Sequence, residues 1–77
     1  ILRVSPNALL AANNLAMLLV THRTDRPSLQ RANELVAPLA DSRDPSYLDT
    51  YGWVKLRTGD AATARAALER AVALAPD

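Results

Sequence analysis

Seventy-seven residues hold one compact unit of about four short elements and no second domain, which excludes two-domain enzymes. The chain has no Cys, no Phe, one Trp and two Gly, and 49% of it is apolar, much of that Ala and Leu; this favours closely packed helices over a sheet. Nine Lys and Arg against eight Asp and Glu leave a net charge of +1, too balanced for a nucleic-acid grip, an acidic tail or a membrane-surface patch.

Without Cys there are no disulfides, no thiolate zinc site and no thiol chemistry. The longest apolar stretch, Leu15 to Val20, is far short of the roughly 20 residues of a spanning helix. The expectation is a soluble chain without membrane insertion, its compartment open between cytoplasm and periplasm. Eight of the nine basic residues are Arg and only Lys55 is Lys, as in a GC-rich bacterial source.

Four clusters of turn and capping residues divide the chain, each followed by an Ala/Leu-rich run. At the first, Ser5 is placed to cap with its side-chain oxygen while Pro6 takes the first helical position without wasting a donor. The helix it opens carries Ala12, Leu15, Ala16 and Leu19 at helical spacing and ends near His22. Thr24-Asp25-Arg26-Pro27-Ser28 opens the second helix, whose start lies at Asp25 or Ser28 and whose apolar stripe is Ala32, Leu35, Val36, Leu39 and Ala40. Pro38 removes the amide that would bond the Glu34 carbonyl and clashes with it, at about 3 kcal/mol in a straight helix. The spacing therefore predicts a bend between Glu34 and Pro38.

Asp44 before Pro45 opens the third helix, with Leu48, Tyr51, Gly52 and Lys55 at the positions of Ala12, Leu15, Ala16 and Leu19. Lys55 stands on an otherwise apolar stripe, so its ammonium must snorkel past Tyr51 and Leu56. Thr58-Gly59-Asp60 opens the fourth helix, with Ala64, Ala67, Leu68, Ala71, Val72 and Ala75 on one stripe. The odd helices repeat at an offset of 36, and pairing Ala64 with Ala32 gives the even helices an offset of 32.

Two helix pairs near a 34-residue period, with small residues at the crossings, resemble the tetratricopeptide repeat. Gly52 resembles the family's small residue at the crossing within a repeat, and Gly59-Asp60 its turn and cap. Ala64, Leu68 and Ala71 resemble the small, large and small residues of its second helix, and Pro76 the proline that ends it. The first copy keeps Asn14-Leu15-Ala16 and Ala32 but replaces the tight turn by a longer segment from His22 to Ser28. Pro6 lies ten residues before Ala16, as the closing proline of a preceding repeat would. The resemblance implies an all-α fold of two antiparallel helix-turn-helix units in a right-handed α-solenoid segment. It forms a single domain over 1–77, with 1–5 the tail of a truncated repeat, 6–44 the first repeat and 45–77 the second. Asn13-Asn14-Leu15-Ala16 and Leu48-Asp49-Thr50-Tyr51-Gly52-Trp53 are also similar to repeats of large bacterial proteins associated with exopolysaccharide secretion.

Catalytic chemistry has little to work with. His22 sits at a helix end, where an imidazolium suits the dipole, and has no nucleophile or metal-spaced partner in sequence. Asp41 and Asp44 flank a helix boundary, where capping is their expected role, and no phosphate loop or nucleophile motif is present. The expectation is no enzyme, no cofactor and no metal. Arg23, Arg26, Arg31 and Arg43 are interleaved with Asp25, Glu34, Asp41 and Asp44, a mixed solvated face. A small helical DNA-binding domain is the competing fold of this length, but the internal repeat is not expected of it.

In a stack of such pairs, the first helices line the concave side. The candidate groove residues are Asn13, Met17 and Thr21 from the first helix and Asp49, Trp53 and Arg57 from the third, each trio spaced i, i+4, i+8. Trp53 between Asp49 and Arg57 has the composition of a binding anchor, with packing against a neighbouring repeat as its other reading. The family's members that grip a C-terminal carboxylate use Lys, Arg and Asn on this face. Asn14 alone matches, so chaperone-tail binding is not supported. The expected function is a non-catalytic protein-interaction module for a peptide or protein surface, with a structural solenoid segment or oligomerisation element as the alternative. Leu68, Ala71, Val72 and Ala75 near an open side add an expectation of self-association, through the terminal helices or by exchange of a helix pair across the segment from His22 to Ser28.

Overall fold

The structure, a computed structural model, describes residues 6–74. They form α1 (Pro6–His22), α2 (Arg26–Val36), α3 (Pro45–Arg57) and α4 (Ala61–Leu74), with a 3-10 turn, Ala37–Leu39, following α2. No strand occurs among the described residues, and the fold is all-α. The expected Ser5 cap, the tail over 1–5, Ala75 on the apolar stripe and the closing Pro76 lie outside the described residues.

Carboxylates start α2, α3 and α4. Asp25 is the N-cap of α2, its Oδ2 accepting from the Ser28 amide at 3.1 Å and the Ser28 hydroxyl at 2.8 Å, which places the start at Asp25. Those two bonds, with Arg23 beside them, hold the Asp25 carboxyl below its ordinary value. Asp44 Oδ1 accepts from the Ser46 amide at 2.8 Å. Asp60 Oδ1 accepts from the Thr63 amide at 3.2 Å, and the Thr63 hydroxyl and amide lower its carboxyl likewise. At the end of α3 the Gly59 amide donates to the Leu56 carbonyl and the Asp60 amide to the Lys55 carbonyl. This paired closure needs the left-handed residue that Gly59 supplies at φ 92°.

The first connection is short. Only Arg23, Thr24 and Asp25 separate α1 from α2, as only Thr58, Gly59 and Asp60 separate α3 from α4. The expected longer segment from His22 to Ser28 is therefore corrected: Asp25 caps at once and Ser28 already lies in the helix. The even-helix offset of 32 is corrected with it. The N-caps Asp25 and Asp60 stand 35 residues apart, and the first buried residues beyond them, Ser28 and Ala64, stand 36 apart, as do Ala16 and Gly52.

Pro38 ends the α-helix rather than bending it. The Ala37 amide donates to the Glu34 carbonyl, so the acceptor that Pro38 cannot serve is satisfied one residue early and the chain tightens into the 3-10 turn. That turn carries Leu39 into the core, fully buried.

Two layers of contact hold the pairs. Ala16, Val20, Ala32, Val36 and Leu39 of the first pair close around Val54 of α3, with Tyr47 and Tyr51 packed against them. Within the second pair, Gly52 lets α3 and α4 approach: a Cβ there would stand 2.8 Å from Leu68 Cγ and 3.2 Å from the Ala64 carbonyl oxygen. Lys55 is half-buried, its Nζ donating to Asn33 Oδ1 at 2.7 Å and lying 5.4 Å from the Tyr51 ring centre. The ammonium thus ends on a partner across the pairs, beside Tyr51 as its position on the stripe required. Arg70 adds a second tie, donating from Nη1 to the Ala40 carbonyl at 2.8 Å and from Nη2 to the Ser42 carbonyl at 3.4 Å.

Candidate peptide-binding recess

α3 lies against both α1 and α2, while α4 packs on α3. The side-by-side placement of α1 and α3 leaves a recess of about 460 Å³ between them. One wall is Asn13, Met17 and Thr21, the α1 residues expected from sequence, together with Asn14, Leu18 and His22. The facing wall is Ser46 and Thr50 of α3.

The α3 trio is not part of this recess. Asp49 borders an adjoining hollow with Pro45, Leu68 and Val72 that shares Ser46 with the recess, and Arg57 borders another with Arg26, Gln30, Asn33 and Thr58. Trp53 is 40% exposed and lies outside the cluster in which Tyr47, Tyr51 and Val54 pack. Ser46 and Thr50 are the α3 residues that border the recess, and Asp49 and Trp53 do not; helical angle alone does not separate them, since Trp53, seven residues after Ser46, points only about 20° from it. The sequence signal for the α3 side of this recess is two small hydroxyl residues four apart inside a helix, Ser46 and Thr50.

Each wall residue has a distinct chemistry. Thr50 is buried, its hydroxyl donating to the Ser46 carbonyl at 3.2 Å. Met17 is half-buried and packs on the core while bordering the recess, a flexible thioether able to fit varied apolar groups. Asn13 Nδ2 donates to Asn14 Oδ1 at 3.4 Å, but Asn13 Oδ1 is buried with no hydrogen-bond partner. A buried acceptor left in that state costs about 1–3 kcal/mol. His22, in the last turn of α1, is exposed at one end of the recess. None of the wall residues is Asp, Glu, Lys or Arg, and the two carboxyls with lowered values, Asp25 and Asp60, serve helix starts elsewhere.

No group of three or more His, Cys, Asp or Glu able to hold a metal ion occurs among the described residues. No described helix is long and apolar enough to cross a membrane. No family model matches the chain, and no curated protein or solved structure matches it.

Proposed function

We propose that the chain is a tetratricopeptide-like repeat pair, a segment of an α-solenoid, and that it acts as a non-catalytic protein-interaction module. It takes an uncharged stretch of extended peptide along the recess between α1 and α3. The observation that carries this reading is the buried, unpartnered Asn13 Oδ1, an acceptor suited to a peptide N–H, with Met17 beside it for an apolar side chain. The close crossing of Gly52 with Ala64 and Leu68 and the Gly59-Asp60 closure support the repeat assignment. Asp49, Trp53 and Arg57 contribute outside the recess or not at all.

The test is selection of peptides from a random library on the immobilised chain, followed by titration of the selected peptides against wild type and Asn13→Leu. Loss of the acceptor should weaken binding about tenfold, the effect of an unpaired peptide donor, with amide shifts centred on Asn13, Met17 and Thr50. Equal affinity for both proteins, or shifts elsewhere, overturns the assignment. A second reading, a scaffold segment that binds nothing here, is favoured by the packing of Met17 on the core; a library that yields no binder supports it.

A further inference from the structure

The interface between the two helix pairs serves as a template for the surfaces the chain leaves open. With the offset of 36 set by Ala16 and Gly52 and by Ser28 and Ala64, each position of the first pair has a counterpart in the second. In the first pair, α3 covers Val20 and Val36, which are 1% and 0% exposed. Their counterparts Leu56 and Val72 are 47% and 77% exposed. Both border one open apolar recess of about 610 Å³ on the second pair, with Leu68 between them and Arg65 and Glu69 at its edge. These are the counterparts of Ala32, Leu29 and Asn33, which together with Val20 and Val36 receive α3 in the first pair.

The complementary face lies at the other end. Val54, Tyr51 and Tyr47 are the side chains that α3 sets into the first pair, and their counterparts in α1 are Leu18, Leu15 and the smaller Ala11. Val54 is fully buried, whereas Leu18 is 55% exposed and Leu15 is also exposed. One molecule therefore carries both halves of an interface it has already formed once internally: an apolar floor on α3 and α4, and a helix with Leu15 and Leu18 to lie on it.

We propose that copies of this chain associate head to tail, α1 of one copy seating Leu15 and Leu18 on the Leu56, Leu68 and Val72 floor of the next, in the register in which α3 sits on α1 and α2. The contact is heterologous, so it leaves one free face of each kind on every assembly and growth is open-ended. The proposal shares Leu18 with the recess between α1 and α3 and otherwise rests on different residues, so Val72→Glu and Leu56→Glu test it without touching that recess.

Sedimentation velocity of the full chain, alone and as variants, decides it. Wild type should grow beyond a dimer with concentration. Leu18→Glu disables only the α1 face and Val72→Glu only the floor; both side chains are exposed, and unchanged helical circular dichroism verifies the fold. Each variant alone should be monomeric. Mixed in equal amounts they should form a one-to-one heterodimer that grows no further, joined through the floor of the first and the α1 face of the second. Leu56→Glu should behave as Val72→Glu does, which guards the result against a local effect at one position. A wild type that stays monomeric up to about 1 mM, the weak end of specific association, overturns the proposal. So does a single variant that still dimerises, since that marks like-to-like pairing through one face. Association that survives every substitution overturns it as well, and points to exchange of helices across Arg23–Asp25.

Discussion

Gly52→Ala separates close approach from helix propensity as the reason for a glycine inside α3. In an open helix the change is stabilising by about 1 kcal/mol, because alanine loses less backbone freedom on folding. Here the added Cβ would stand 2.8 Å from Leu68 Cγ, 2.9 Å from Leu68 Cδ2 and 3.2 Å from the Ala64 carbonyl oxygen. Leu68 Cγ is the branch point of its side chain, so a rotation of the tip does not clear it. The Ala64 oxygen belongs to the α4 backbone and moves only if the helix moves. The two helices must part along their crossing, and overpacking of this kind costs about 1–3 kcal/mol. Set against the propensity gain, the net expectation is a loss of about 1 kcal/mol, or about 4–8 °C in Tm for a chain of this size.

Urea unfolding followed by far-ultraviolet circular dichroism measures the loss. Leu68→Ala supplies the internal control, since it removes the nearer of the two obstacles. In that background Gly52→Ala should cost less than it does alone, and the difference is the coupling between the two sites. A Gly52→Ala protein more stable than wild type would refute the argument, for it would mean that α3 and α4 have room at this crossing and that propensity decides.

Two further substitution and pH effects follow from the same contacts. Lys55→Leu, which writes the Leu19 residue of the first pair into the second, should lower stability by about 1 kcal/mol, the loss of one side-chain hydrogen bond, because it strands half-buried Asn33; a more stable variant in the same urea assay would show that the 2.7 Å bond contributes nothing. The Asp25 and Asp60 carboxyls titrate below their ordinary value of 3.8 in the folded chain. Their contribution is therefore present above the unfolded value and is lost as pH falls through the lower folded one. The urea midpoint should fall as the pH is taken from about 5 down through the ordinary value of 3.8 and below it, and fall less in Asp25→Asn, Asp60→Asn, which keeps a capping oxygen without the charge. An equal drop in wild type and double variant would assign the acid sensitivity to other carboxyls.

The helix starts were legible because they are written in chemistry local to the chain: Asp44 before Pro45 and Asp60 after Gly59 cap where a carboxylate can reach free amides. The even-helix register was not, and Ser28 shows why. Alignment by residue type matches Ala64 with Ala32, small with small. The structure puts Ser28 in the place of Ala64 instead, and a serine can stand buried there because its hydroxyl is bonded to Asp25 Oδ2. The polar group is neutralised by a residue three positions away, so a side chain that reads as surface from its type behaves as a small core residue.

The candidate recess divides along the same line. On α1 the spacing of Asn13, Met17 and Thr21 found the wall. On α3 the same spacing names Asp49, Trp53 and Arg57, none of which borders the recess. A helix pattern gives the relative angle between its own residues, but its absolute rotation is set by what it packs upon. For α3 that is the seating of Tyr47, Tyr51 and Val54 on the first pair and the anchoring of Lys55 on Asn33. Those contacts place Ser46 and Thr50 beside the recess and leave Trp53 exposed. Had Lys55 been read as a residue that must find a polar partner on α2, rather than one that only escapes to solvent, the rotation of α3 would have followed, and with it the wall that Thr50 supplies.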